Sequence, residues 1–260
     1  MASYDVLGNV MIVKFKRGIK SKEKKRFALS ILKKRRDIRT ILEKSHKFSG
    51  RLRTLKTKWI AGEKTNEALY KENGCVFRLN VDSCYFSPRL STERKEIASQ
   101  VKKGEKVLVM FGGVAPFAIV IGKYSKSERI VSVELGKECN KYAIENVKRN
   151  KLGHKVEVIQ GDVRRVIGKG KKVSGLFDRI VMARPNLKDS FLDVAFSVVK
   201  KGGMIHYYGF HSEDKVNELK ELIEREASKA KRKIKLLKVK KAGDIGVRKW
   251  RYRADIRVLN

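Results

Sequence analysis

The sequence predicts an α/β protein, a mostly parallel sheet with helices on both faces, preceded by a small α+β module. Three observations carry this. The apolar run 107–110 (VLVM) stops at Gly112 and Gly113 and enters the apolar segment 116–120, which reads as a buried strand, a tight turn and a helix. Strand-like and helix-like runs then alternate down the chain, as parallel sheets require. Successive strands end in acids, Glu134 and then Asp162. Glu134 falls about 20 residues past the glycines, where an α/β nucleotide site places a carboxylate on ribose hydroxyls.

The N-terminal third is read as follows. Residues 9–16 alternate enough to form a strand. Residues 21–44 carry Phe27, Leu29, Ile31, Leu32, Ile38, Ile41 and Leu42 at three-to-four spacing, so one long amphipathic helix is expected. Its solvent face holds Lys22, Lys24, Lys25, Arg26, Lys33, Lys34, Arg35 and Arg36. The basic run 47–56 is expected to be loop and strand. Asn73-Gly74 is a turn signal and divides a basic domain, 1–73, from a larger one, 74–260.

In the larger domain, 75–81 alternates as a strand. A helix follows to about Val101, capped by Ser91 or Thr92, with Glu93 in its first turn. An acid there is ordinarily a partner of the helix dipole. After the glycine turn come strands at 129–134, 156–163, 177–182 and 204–208, helices at 137–150, 189–199 and 213–230, and final strands at 234–239 and 252–258. Glycine lets the turn approach a ligand, and the following helix start offers free N–H groups. The turn is neither a dinucleotide fingerprint nor a phosphate loop, so its meaning rests on the acids that follow it.

Composition narrows the partner. The chain has 260 residues, 42% hydrophobic, with 63 Lys+Arg against 28 Asp+Glu, a formal charge of +35. Heat-adapted surfaces usually add Glu alongside Lys. Here acid does not keep pace, and a polyanion, nucleic acid above all, is the expected partner. No apolar run is long enough to span a membrane, and MASYDVLGNV is not a signal peptide. Cys75, Cys84 and Cys139 are scattered, and His46, His154, His206 and His211 are dispersed. No metal site and no disulfide framework are expected, which suits a reducing cytoplasm.

Several stretches carry a family resemblance. They are 85–94 (YFSPRLSTER), 110–117 (MFGGVAPF), 205–208 (IHYY), Ala61-Gly62-Glu63 and 71–74 (KENG). With them the chain resembles the archaeal and eukaryotic tRNA (guanine-37, N1) methyltransferases and their wyosine-pathway relatives, nearly throughout its length. The family's extra elbow-sensing N-terminal domain is not recognised in it. The resemblance implies a class I S-adenosylmethionine-dependent methyltransferase with a Rossmann-like sheet, after a small RNA-binding domain. It implies S-adenosyl-L-methionine as cofactor and the anticodon loop of tRNA as partner. A monomer is expected.

The resemblance also implies roles. Ser87 and Arg94 hold the cofactor, Glu134 with Leu135 takes the ribose, and Asp162 with Val163 frames the adenine. Phe111, Gly113, Ala115 and Pro116 form the cofactor turn. Glu93 matches a proposed general base, Arg53 an arginine on the reacting base, and Pro185 the proline of the loop that clasps it. Arg89, Arg184 and Asn186 are expected on the substrate side. Tyr85 or Tyr207 could stack on the extruded base or be core. Three positions depart from the pattern: Val109 replaces an aspartate, Ala115 a glycine and Ala183 an asparagine. They keep open C7 methylation of the tricyclic wyosine precursor, aminocarboxypropyl transfer, or a non-catalytic tRNA-binding protein.

Overall fold

The computed structural model describes residues 3–45, 50, 54–246 and 248–260. The chain opens with β1 (Ser3–Leu7), β2 (Val10–Lys14), α1 (Ser21–Lys34), β3 (Thr40–Lys44) and β4 (Thr57–Gly62). These strands form one sheet in the order β1-β2-β3-β4, with β2 and β3 parallel. Met11, Val13, Ala28, Ile38, Ile41 and Ala61 form its core.

The long helix expected over 21–44 is corrected. The helix stops at Lys34, and β3 begins at Thr40. Ile38, Ile41 and Leu42 fit a helical spacing, but pairing with β2 buries Ile41 and Leu42 and satisfies their backbone in a ladder, while Ile38 is buried in the turn before it. Packing of β-branched residues against a neighbouring strand outweighs a local period. The helix still presents Lys22, Lys25, Arg26, Lys33 and Lys34 to solvent.

Next comes a two-stranded hairpin, β5 (Glu67–Glu72) and β6 (Cys75–Asn80). Asn73 and Gly74 at its tip have φ of 45° and 60°, the left-handed pair that a tight hairpin turn demands. The division expected at residue 73 therefore falls inside a paired hairpin. Two asparagines of a later helix, α4 (Lys137–Arg149), fasten it to the larger unit. Asn150, just past the helix end, accepts from Val76 N–H at its Oδ1 (2.9 Å) and donates its amide N–H to Val76 C=O at 2.7 Å. Asn146 does the same for Arg78, at 2.7 and 3.0 Å. One turn apart, the two amides act as a substitute strand along the edge of β6.

A 3-10 turn at Pro88–Leu90 leads into α2 (Ser91–Gln100). There follow β7 (Lys106–Met110), α3 (Pro116–Tyr124), β8 (Arg129–Glu134), α4 and β9 (Val156–Gln160). Then come α5 (Val163–Val166), β10 (Phe177–Met182), α6 (Leu192–Val198), β11 (Val199–Ser212), α7 (Val216–Lys229), β12 (Ile234–Gly246) and β13 (Lys249–Val258). The strand expected to run to Val163 ends at Gln160, and Asp162 caps α5 instead. The sheet order is β12-β13-β11-β10-β7-β8-β9. The strands from β9 across to β11 are parallel, and β13 runs antiparallel between β11 and β12. The chain steps outward from β7 to β9 and then crosses back to β10. The switch point, where such sheets hold ligands, lies between β7 and β10.

Two other expectations are corrected. The final strands are longer than expected and form one hairpin, because Lys235, Lys238, Lys240 and Lys241 dilute the apolar alternation of β12. Cys84 and Cys139, 55 residues apart, form a disulfide with Cα atoms 5.4 Å apart. It ties the segment after β6 to the first turn of α4, a proximity no sequence spacing reveals. Among the described residues no helix is long and apolar enough to cross a membrane.

Candidate active site

A cleft opens at the carboxyl ends of β7 to β10 and encloses about 860 Å³, its mouth included. The turn after β7 forms its floor. Phe111, Gly113 and Ala115 have φ of 61°, 56° and 65°. Gly112 N–H donates to Val133 C=O at 2.8 Å, and Ala115 N–H to Gly112 C=O at 2.9 Å. A Cβ on Gly112 would stand 2.2 Å from Ser132 Oγ, so a side chain here would have to displace that buried hydroxyl. Ala115 takes the left-handed position before Pro116, at a cost of about 1–2 kcal/mol that glycine would avoid.

Glu134 ends β8 and faces the cleft. Its Oε2 accepts from Gly113 N–H at 2.8 Å and its Oε1 from Gly136 N–H at 2.7 Å. Burial pushes its carboxyl up, and these backbone donors pull the other way. The remaining lone pairs suit two ribose hydroxyls. Asp162 caps α5 by accepting from Arg164 N–H at 2.9 Å, and Leu135, Gly161 and Val163 line the same end.

The far wall is the loop after β10. Ala183, Arg184, Pro185 and Leu187 line it. Arg184 is nearly buried, and its Nη2 donates to Leu187 C=O and to Asp189 C=O, the latter at 2.7 Å. Burial pulls this guanidinium below its ordinary range. The side chain thus holds its own loop in shape. Tyr85, Leu90 and Arg251 close the remaining side.

Of the expected residues, the structure brings Phe111, Gly113, Glu134, Leu135, Asp162, Val163, Arg184 and Pro185 to one cleft. Ala115 and Pro116 stand behind the turn and shape it. Arg94 is fully buried; its guanidinium grips the carboxylate of Glu72 and donates to Ser87 C=O at 3.0 Å. Arg94 and Ser87 thus brace the wall from outside. Arg89 pairs with Asp244 at 3.5 Å on the surface, and Asn186 is exposed. Arg53 lies outside the described residues. Tyr207 is core, whereas Tyr85 lines the cleft.

Glu93 sits one turn beyond Leu90, buried beneath the cleft. Its Oε2 accepts from Tyr208 OH at 3.0 Å and Arg253 Nη1 at 2.7 Å, and its Oε1 pairs with Lys240 Nζ at 2.7 Å. A buried chain of polar groups continues from there. Arg253 reaches Asp255 at 3.1 Å, Asp255 meets His206 Nδ1 at 2.6 Å, and His206 Nε2 meets Arg179 Nη1 at 2.6 Å. Arginine only donates, so His206 Nε2 accepts and its Nδ1–H donates to Asp255. The imidazole is neutral, and burial holds its pKa down.

Sequence reasoning missed Arg251, Leu90 and Leu187. Arg251, Arg253 and Asp255 alternate with Trp250, Tyr252 and Ala254, a pattern that reads as a half-solvated strand. That face is buried instead: Arg253 pairs with Glu93 and Glu96 of α2, Asp255 with His206, and Arg251 lies over Phe210.

Residues 68–237 match the family described as the TRM5/TYW2 methyltransferase domain. The chain belongs to this family. It is 36% identical over 211 residues to the tRNA (guanine(37)-N(1))-methyltransferase Trm5b of Pyrococcus abyssi, covering 81% of this chain and 61% of that enzyme. The crystal structure of that enzyme superposes with a TM-score of 0.86 at 32% identity, over 99% of this chain and 75% of the other. The chain thus spans less than two thirds of that relative's sequence. It is also 34% identical to Taw22 of Nanoarchaeum equitans, a tRNA (guanine(37)-N(1))/4-demethylwyosine(37)-methyltransferase, over 99% of this chain and 100% of that one. The structure of M. jannaschii TYW2 with AdoMet superposes with a TM-score of 0.75 at 27% identity, covering 99% of both chains. The glycine turn, Glu134 and Asp162 lie at the carboxyl ends of the parallel strands, where open α/β sheets bind ligands.

Proposed function

We propose that this chain is an S-adenosylmethionine-dependent tRNA methyltransferase acting on the purine at position 37, with N1 of guanosine as the acceptor. The observation that carries the reading is the meeting of the glycine turn, Glu134 and Asp162 in one cleft at the sheet's switch point. The residues fit the cofactor: a carboxylate pinned by two backbone N–H groups for the ribose, an acid at the next strand end, and apolar Leu135, Val163 and Leu187 about the ring. When bound, S-adenosylmethionine supplies an activated methyl group.

Guanine N1 carries a proton, so a base must take it as N1 attacks. Glu93, buried one turn past the cleft-lining Leu90, is the candidate base, and to accept a proton it must release one of its three donors. Negative charge grows on O6 and calls for fixed donors. A base in a single-stranded loop is cheaply extruded into such a cleft. The charge of +35 and the basic face of α1 suit tRNA, and residues 1–73 are read as the module that grips it. A cytoplasmic monomer is the working reading.

A second reading, C7 methylation of the tricyclic wyosine precursor alone or beside guanine N1, is favoured by two observations. Ala183 and Arg184 replace an asparagine-led loop, and the bifunctional Nanoarchaeum relative matches the chain end to end. Mass spectrometry of nucleosides, after incubation with unmodified and with precursor-bearing tRNA, decides. N1-methylguanosine supports the first reading, a methylated tricycle the second, and an aminocarboxypropyl adduct replaces both. Failure to bind S-adenosylmethionine at high micromolar concentration would leave a tRNA-binding protein.

A further inference from the structure

The sheet divides the cleft. Gly113, Glu134 and Asp162 follow β7, β8 and β9, and form the cofactor half. Arg184 follows β10, and Arg251 stands near the start of β13 opposite Phe210 of β11. Because β13 is antiparallel, its start lies level with the carboxyl end of β11, on the rim where the second ligand enters.

Arg251 is only 6% exposed, yet it lines the cleft. Its guanidinium lies 5.4 Å over the Phe210 ring, and Nη2 reaches Tyr85 OH at 3.4 Å. Among the described residues no carboxylate comes within ion-pair distance of it. Arg94, Arg179 and Arg253, equally buried, each have one, and Arg184, which has none, spends its Nη2 on the carbonyls of its own loop. A buried cation without a countercharge is costly. The ligand is the natural source of the missing negative charge.

We propose that Arg251 is a catalytic residue that faces the carbonyl oxygen of the target purine and stabilises the negative charge that grows there. This rests on the reading above. In the step, the N1–methyl bond forms and the methyl–sulfur bond breaks, releasing S-adenosylhomocysteine. The N1 proton passes to a protein base. While that proton leaves, charge collects on the adjacent carbonyl oxygen, and the rigid guanidinium fork of Arg251 meets it. Burial selects the base over the backbone: phosphodiesters stay at the mouth, whereas an extruded base carries its Watson–Crick edge inside. Tyr85, one contact away, is set beside the same edge.

The test uses the full chain, S-adenosylmethionine and a guanosine-37 tRNA transcript. Arg251→Met keeps the stem that packs on Phe210, and Arg251→Lys keeps the charge but loses the fork. Single-turnover methylation should fall roughly a hundredfold or more in the Met variant, as when one oxyanion donor is removed. The Lys variant should lose about tenfold. The deficit should narrow as pH rises, because the N1 proton then leaves with less help. Dissociation constants for cofactor and tRNA should stay within about threefold. A rate within threefold of wild type in either folded variant would overturn the assignment. So would weaker cofactor binding with a normal saturated rate, which marks a cofactor-carboxylate contact. Weaker tRNA binding with a salt slope lower by about one and a normal saturated rate, the mark of a phosphate contact, would overturn it too. If the wild-type chain methylates no purine, the functional reading itself fails, whatever the variants do.

Discussion

Arg94 and Glu72 meet face to face, both buried, with Nη2 to Oε2 at 2.6 Å and Nε on the second oxygen. The guanidinium also lies 5.0 Å over the Phe86 ring and holds Ser87 C=O. Glu72 belongs to β5 and Arg94 to α2, so this pair couples the hairpin to the wall of the cleft. Removing one partner leaves a charge buried alone. Glu72→Gln should destabilise the fold by about 3–5 kcal/mol. The pair Glu72→Leu with Arg94→Met should recover much of that. Denaturant melts of the single and double variants check it; additive losses would show that the two side chains do not act together.

Glu134 is expected to anchor the cofactor. In Glu134→Gln, one amide hydrogen would confront Gly113 N–H or Gly136 N–H, and one ribose acceptor would be lost. A charge-assisted bond is worth about 1.5–3 kcal/mol. Calorimetric affinity for S-adenosylmethionine should therefore drop about 10- to 100-fold. An unchanged affinity would place the ribose elsewhere.

Glu93→Ala should bind cofactor normally and lose turnover. Since the variant also strands Arg253 and Lys240, Glu93→Gln is the control, because it keeps the shape and Tyr208's partner. If both variants methylate at the wild-type rate, Glu93 belongs to the buried network alone.

His206 links stability to acid. Facing it are Asp255, Arg179 and Arg253, and burial holds the imidazole neutral in the fold. Its folded pKa lies below the unfolded value, so the unfolded chain takes up the extra proton. The contribution is complete above about pH 6.5 and declines as pH falls below it, by up to about 1.4 kcal/mol per unit. Asp255, whose carboxyl is held low, yields its own share only below about pH 4. Denaturant stability measured from pH 7.5 to 5 should show the slope, and His206→Gln should flatten it. An equal slope in both proteins would assign the acid sensitivity to other groups.

Cofactor-side features were legible in the sequence because each is local. Gly113 takes a left-handed φ of 56°, and a Cβ on Gly112 would press on Ser132 Oγ. Glu134 and Asp162 are each set by the end of an apolar run. The limits of β10 and α4 follow from periodicity within a single segment.

What the sequence determined by itself was the order of strands and helices, the acid-tipped sheet and the basic charge, since periodicity and composition act along the chain. Only the tertiary structure decided that residues 40–44 pair as a strand, that Cys84 meets Cys139, that Arg94 serves Glu72, and that Arg251 turns into the cleft. Each depends on a neighbour tens of residues or more away. Burial and ion pairing are set by which surfaces meet in space, and a local pattern carries no record of that meeting.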